Sequence, residues 1–295
     1  MVLAFLYFFV VWANFTPRKL NLWLWGRLAR FASRFFRHDR AIAIENITCA
    51  LGVGGKGAEK VFAGTFENFA KNLVDLAYVA GPLRRDPASI IKVLPEDLAI
   101  IDDAMAEGKG VVGITGHLSN WELFGGYVAS RLGGIHVVAR EAYDRHTDRL
   151  LRYLRRRLGV RSIYTDEPAS AGASVVRGGG FLGTLADLNV RGLPVTVVEF
   201  FGRPAATPIG PALLARRTGA PLIPMCIIRE TDDSYRVYVS EPIVIADTGD
   251  LRSGLTADTQ AWSAVLEGWI RRYPEQWIWL HDRWSVGGAS SIKRN

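Results

Sequence analysis

His117 and Glu122, five positions apart in the stretch GVVGITGHLSNWELFGGY (Gly110 to Tyr127), are the two residues whose types and spacing best suit acid–base chemistry. Histidine as a residue type titrates at about 6.5, so it can remove a proton at neutral pH. A carboxylate behind it can orient the ring and stabilise the imidazolium. Five positions along an ideal helix turn a side chain by roughly 140°. The pair can therefore meet only if His117 lies in a turn and Glu122 in the first helical turn. The surrounding residues fit that arrangement. An apolar run (Val111, Val112, Ile114) ends at Gly116, and the capping types Ser119 and Asn120 precede a helical pattern carrying Glu122, Leu123 and Phe124. This reads as strand, turn and helix, with His117 at the carboxyl end of the strand, where open α/β sheets place their chemistry. Glu122 has a second use, because Ser119-Asn120-Trp121-Glu122 is also a capping-box pattern that would send it back to the Ser119 N–H. Spacing alone does not choose between the two.

Other candidates are weaker. Asp187 follows the apolar stretch Phe181 to Ala186, so it also sits at a strand end, where it can orient a base, accept a substrate hydroxyl or simply form a turn. Arg149, Arg152, Arg155, Arg156, Arg157 and Arg161 form the densest basic cluster. Arginine's forked donors suit phosphate, but most of such a helix face is expected in solvent. His281 lies in WIWLHDRW and reads as a packed or interfacial residue. His136 alternates with Val137 in a strand and reads as structural, while His38 and His146 carry no signal. The five histidines are scattered and the two cysteines lack ligand spacing, so no metal site is expected. No G-x-S-x-G elbow is present, and GVGGKG lacks the P-loop pattern.

These residues need a scaffold, and the pattern supplies one. Strand signals at 135–139, 160–164, 181–186, 194–200 and 222–229 alternate with helical ones at 145–158 and 208–218. A helix at 256–273 follows a strand pair at 235–245, and 170–180 reads either way. The fold class expected is α/β, a mostly parallel central sheet covered by helices on both faces. Upstream, 41–57 reads as a glycine-rich loop, with helices at 58–80 and 95–107. At the start, Val2 to Phe15 is almost wholly apolar, yet as a helix it spans only about 21 Å against a hydrocarbon core of roughly 30 Å. The next segment interleaves Leu20, Trp23, Leu24, Leu28, Phe31 and Phe35 with Arg27, Arg30, Arg34 and Arg37, a basic amphipathic pattern suited to an anionic interface. Residues 1–40 thus read as an N-terminal membrane-anchoring helical segment and 41–295 as the α/β domain; a buried helical hairpin is the competing reading. The net charge of +7 points to a polyanionic partner, and the tryptophans near both ends favour a membrane surface over nucleic acid. Two cysteines in apolar surroundings suit a reducing compartment.

The H-x-x-x-x-E pattern in GHLSNWE resembles the first motif of the lysophospholipid acyltransferase superfamily. More narrowly, the chain is similar to the bacterial lipid A biosynthesis (lauroyl/myristoyl) acyltransferases. The similarity extends to RAIAIENITCALG (Arg40 to Gly52), FFGRPAATPIGPALLARRTGAPLIP (Phe200 to Pro224) and PEQWIWLHDRW (Pro274 to Trp284). The resemblance implies transfer of a fatty acyl chain from acidic acyl-acyl carrier protein, as donor substrate, to a hydroxyl of a lipid A precursor. It places this at the cytoplasmic face of the bacterial inner membrane, with no metal, nucleotide or other cofactor. It makes His117 the general base and Glu122 its orienting partner, with Arg155, Asp187 and Arg140 as substrate-binding candidates. Leu188, where the family commonly has Gln, and Glu199, where it often has Pro, leave the acceptor open to another glycolipid such as a phosphatidylinositol mannoside. A catalytically silent lipid-binding scaffold is the alternative from another class.

Overall fold

The structure, a computed structural model, describes residues 2–140, 144–168, 170–190 and 192–284, with side chains from residue 8 onward. Four helices come first: α1 (Val2–Phe15), α2 (Arg18–Ala32), α3 (Arg37–Leu51) and α4 (Lys56–Ala80). The expected loop over 41–57 is confined to the glycine cluster. Ala43, Ile47 and Ala50 recur at helical spacing and are buried, so the segment before Gly52 folds as α3. Gly52 ends that helix in the left-handed conformation, φ 68°.

Strands and helices then alternate: β1 (Ile91–Lys92), α5 (Pro95–Ala106), β2 (Val111–Thr115), α6 (Trp121–Leu132), β3 (Ile135–Ala139), α7 (Arg145–Arg157), β4 (Val160–Tyr164), α8 (Ser170–Arg177) and β5 (Phe181–Leu185). The remainder is β6 (Val195–Phe200), β7 (Arg203–Pro208), α9 (Gly210–Thr218), β8 (Leu222–Arg229), β9 (Tyr235–Val239) and α10 (Leu251–Arg272). Seven strands form one sheet in the order β1-β9-β8-β2-β5-β3-β4, with β6 and β7 as a separate hairpin. Every neighbouring pair in the large sheet is parallel except β8 with β9.

Both faces of the sheet are covered, as the continuous apolar strands require. All eight residues of β8 are buried, and alternate ones serve opposite cores. Leu222, Cys226 and Ile228 pack with α3, α9, α10 and the first half of α4. Ile223, Met225 and Ile227 pack with α5, α6, α7 and the second half of α4.

Four local expectations change. The ambiguous 170–180 contains α8. Residues 240–245 form no strand after β9, although the Ser240 and Ile243 N–H groups still donate to the Pro224 and Leu222 carbonyls of β8. The hairpin partner β7 was not legible, because its turn forces Phe201 (φ 56°) and Gly202 (φ 70°) into positive φ, which Phe does not advertise. Of the downstream tryptophans, Trp262, Trp277, Trp279 and Trp284 are buried in the core and Trp269 is partly buried against it, so they form no surface belt. Of the two cysteines, both free, Cys226 is buried but Cys49 is exposed.

Among the described residues no helix is long and apolar enough to cross a membrane. The end of α1 is fastened to the body by Asn14, whose side chain donates to the Ala77 and Tyr78 carbonyls and accepts from Leu83 N–H. α2 packs along α4 and is tied to it by Arg18–Asp75 at 2.6 Å. Even so docked, α1, α2 and the short turn after α2 leave Phe8, Phe15, Trp23, Phe31 and Phe35 exposed, Trp23 by 60%. Leu222, fully buried between β2 and the helices, reports on the sheet itself. Leu222→Ala is expected to lower stability by about 2–5 kcal/mol, read from the shift of the denaturant midpoint.

Candidate active site

The site follows from strand register. β2 and β5 pair in parallel with Thr115 opposite Leu185. Two residues past each strand end, that register sets His117 beside Asp187. The Asp187 carboxylate takes both polar groups of the histidine: the backbone N–H donates to Oδ2 at 2.8 Å, and ring Nδ1 meets Oδ1 at 2.8 Å. Gly116 is what permits this approach, since a Cβ there would lie 2.9 Å from Asp187 Oδ2 and 2.9 Å from Leu266 Cδ2.

A third donor comes from the far end of the chain. Trp277 Nε1 donates to Asp187 Oδ2 at 2.8 Å, and the segment carrying it bridges to Leu118. Asp187 is wholly buried while the His117 side chain keeps 26% of its surface. An ionised carboxylate only accepts hydrogen bonds, so Nδ1 donates to it, and in the neutral ring the lone pair then lies on Nε2. That is the state a general base needs. Trp121, at the start of α6, packs edge-on against the ring with centroids 5.0 Å apart.

Glu122 lies elsewhere in this arrangement. Arg155, from the last turn of α7, grips it with Nε on Oε2 at 2.7 Å and a second bond from Nη2 to Oε1. Among the described residues no hydrogen bond joins Glu122 to His117. The orienting contact expected of Glu122 is made by Asp187. The reason is geometric: α6 begins at Trp121, and the glutamate points from its first turn toward α7. The capping box is also absent. Asn120 is the N-cap, accepting from Leu123 N–H at 3.2 Å, and the Ser119 N–H is taken by the Gln276 carbonyl at 2.7 Å. Arg155 meets Glu122, whereas Arg140 is exposed after β3 and takes no part in these contacts. Arg149, Arg156 and Arg161 are exposed, and Arg157 instead donates to the Ala80 and Gly81 carbonyls at the end of α4.

Two residues escaped the sequence reading: Trp277 and Trp121. His281 was read as packed or interfacial. It is substantially buried, which lowers its pKa, and it lies close enough to feel the charges of Asp187, Arg283 and His117. Its Nδ1 is buried and meets no hydrogen-bond partner among the described residues. The ordered repetition of Trp in WIWLHDRW was the one available signal, and it does not say which strand end the segment will cross.

Burial by itself would raise the Asp187 carboxyl. The His117 charge, with the hydrogen bonds from the His117 ring, the Trp277 indole and the His117 backbone, outweighs it and holds the group below its ordinary 3.8. A carboxyl depressed on folding contributes stability above its unfolded value, and that contribution is lost as pH falls through the folded value. From about pH 3.8 downward, the wild type is therefore expected to lose stability more steeply than Asp187→Asn, seen in denaturant midpoints across pH. Trp277→Phe, which removes one of three donors to a buried anion, is expected to destabilise by about 1–3 kcal/mol. Gly116→Ala is expected to displace Asp187 from the histidine and to lower any activity that depends on the pair.

Comparison with known proteins accords with this architecture. The family model described as bacterial lipid A biosynthesis acyltransferase matches residues 1–285. A phosphatidylinositol mannoside acyltransferase of Mycobacterium tuberculosis (strain ATCC 25618 / H37Rv) is 29% identical over 198 residues, covering 62% of this chain and 57% of its own length. The corresponding protein of Mycolicibacterium smegmatis is 29% identical over 65% of this chain and 64% of its own. The chain thus spans less than two thirds of those relatives. The lipid A biosynthesis palmitoleoyltransferase of Escherichia coli (strain K12) is 24% identical, over 92% of this chain and 91% of its own. With a match that takes in both strand ends of the site and the Trp277 segment, the chain belongs to the bacterial lipid A biosynthesis acyltransferase family.

Proposed function

We propose that the protein is a membrane-associated O-acyltransferase that moves a fatty acyl chain from acyl-acyl carrier protein to a hydroxyl of a lipid A precursor. The observation that carries this reading is the His117–Asp187 pair, with Nδ1 committed to a buried carboxylate and Nε2 left for substrate. In the step proposed, His117 Nε2 takes the acceptor hydroxyl's proton as its oxygen attacks the thioester carbonyl. The tetrahedral intermediate collapses, the C–S bond breaks, and the departing thiolate takes the proton from the imidazolium. Asp187 fixes the ring and stabilises that imidazolium. The thioester is already activated, so the chemistry asks for no metal and no nucleotide. Glu122 has a supporting part: with Arg155 it locks the start of α6, and so Trp121 against the His117 ring, to α7.

The exposed aromatic residues of α1 and α2, with Phe69 and Leu73 of α4 and a net charge of +7, support attachment to an anionic surface at the cytoplasmic face of the inner membrane. The same surface suits an acidic carrier protein. Arg140, exposed beside β3, is retained as a substrate-contact candidate. A phosphatidylinositol mannoside is the second acceptor reading, favoured by the higher identity of the mycobacterial relatives.

His117→Ala is expected to lower transfer from acyl-acyl carrier protein by about 10²–10⁴-fold with unchanged membrane association. Undiminished transfer would remove the mechanism. Asp187→Asn is expected to cost more in kcat than Glu122→Gln, because only Asp187 touches the ring; the reverse order would return the orienting role to Glu122. Mass spectrometry of lipids from cells with and without the active protein identifies acceptor and acyl length together, as a mass difference of one acyl chain.

A further inference from the structure

The turn that carries His117 is held by more than Asp187. Ser119, two residues on, is fully buried with φ 53°, a left-handed conformation that is unfavourable for a residue with a Cβ. Among the described residues its buried hydroxyl meets no hydrogen-bond partner, so no side-chain bond there holds that conformation. Its backbone is held instead. The N–H donates to the Gln276 carbonyl at 2.7 Å, and the carbonyl accepts from Asn72 Nδ2 at 2.7 Å.

Asn72 comes from the middle of α4 and is almost completely buried. Its own carbonyl accepts from Asn120 Nδ2 at 3.0 Å, so it grips two successive residues of the turn. Its Oδ1 faces the other way and accepts from Arg229 at 3.0 Å. Arg229 in turn meets Asp75 at 2.7 Å, and Asp75 also receives Tyr235 Oη at 2.8 Å and Arg18 of α2 at 2.6 Å. The orientation of the Asn72 amide is thereby settled. Its oxygen must face the guanidinium, and its nitrogen must face the Ser119 carbonyl.

We propose that Asn72 is a positioning residue for His117: its amide N–H, aimed by the buried Arg229–Asp75 cluster, holds the Ser119 turn in the left-handed conformation that presents the histidine to Asp187 and to substrate. The inference rests on the reading of His117 as the base. Asn72 touches no reacting atom and acts only through the turn.

Asn72→Asp separates the two halves of this role. It keeps an oxygen for Arg229 but replaces the donor to Ser119 with an acceptor. Ser119→Gly supplies a residue that adopts positive φ without strain. Full-length protein in membranes, given lauroyl-acyl carrier protein and a bacterial membrane lipid extract, provides the assay. N72D is expected to lower kcat about 10- to 100-fold with little change in KM for the carrier protein, since a misplaced base affects the chemical step more than donor binding. The double variant N72D/S119G is expected to raise kcat about fivefold or more above that of N72D. Tyr235→Phe removes the Oη bonds to Asp75, to Asn72 Oδ1 and to Asn120 Nδ2 but leaves the Asn72–Ser119 bond, and is expected to lower stability while costing less kcat than N72D.

Wild-type kcat in N72D overturns the inference. So does an equal loss of kcat in N72D and N72D/S119G, which would show a role in folding alone. Should N72D not accumulate as folded protein, Asn72→Ser enters the same comparison, and identical kcat with and without S119G overturns the inference there as well. His117→Ala is measured in parallel. Full activity in that variant removes the base reading itself, whereas an inactive H117A beside an unaffected N72D removes only the inference about Asn72.

Discussion

An ionised carboxylate with no exposed surface, Asp187, is the constraint around which the site is built. Moving such a group out of water costs several kcal/mol after relaxation, and only good hydrogen bonds return that cost. The fold supplies three, from the His117 backbone, the His117 ring and the Trp277 indole. Two come from one residue just past the end of β2, and the third from the segment after α10. Asp187 therefore joins the first half of the sheet to the last stretch of the chain. Loss of any one donor leaves a buried charge short of partners.

The same economy extends outward from the carboxylate. The turn after β2 has its N–H groups at His117 and Ser119, the Ser119 carbonyl and the helix start at Leu123 all satisfied, by Asp187, Gln276, Asn72 and Asn120. Gln276 itself is fixed by a reciprocal pair of bonds to the Arg229 backbone, at 2.9 Å each. A loop lying over the end of a buried sheet cannot leave such groups to solvent, so the elements packed against it must complete them. Rigidity at His117 is a consequence.

A second buried charge cluster, Asp75 with Arg229 and Arg18, sits between this turn and the first helices. It makes α2 part of the body and leaves the helix's aromatic side chains on the outside. The apolar surface at the start of the chain is thus presented on a docked helix with fixed orientation.

Much of this was legible in the sequence, for local reasons. The strand–turn–helix at 110–127, the apolar run of β8 before Arg229, and the strand ending before Asp187 all follow from runs of apolar residues and the residue types that end them. His117 and Asp187 were each identifiable as strand-end residues. Their union was not. Residues 117 and 187 meet because β2 pairs with β5 in the Thr115–Leu185 register, a choice set by packing on both faces of the sheet and invisible to spacing along the chain. Glu122 was favoured for its nearness in sequence, yet α6 turns it to Arg155. Trp277 looked like a surface anchor and became a donor to the buried anion. The sequence alone determined which residues stand at the ends of strands. The tertiary structure decided which of those ends face one another, because hydrogen-bond partners across a sheet are chosen by burial and register rather than by separation along the chain.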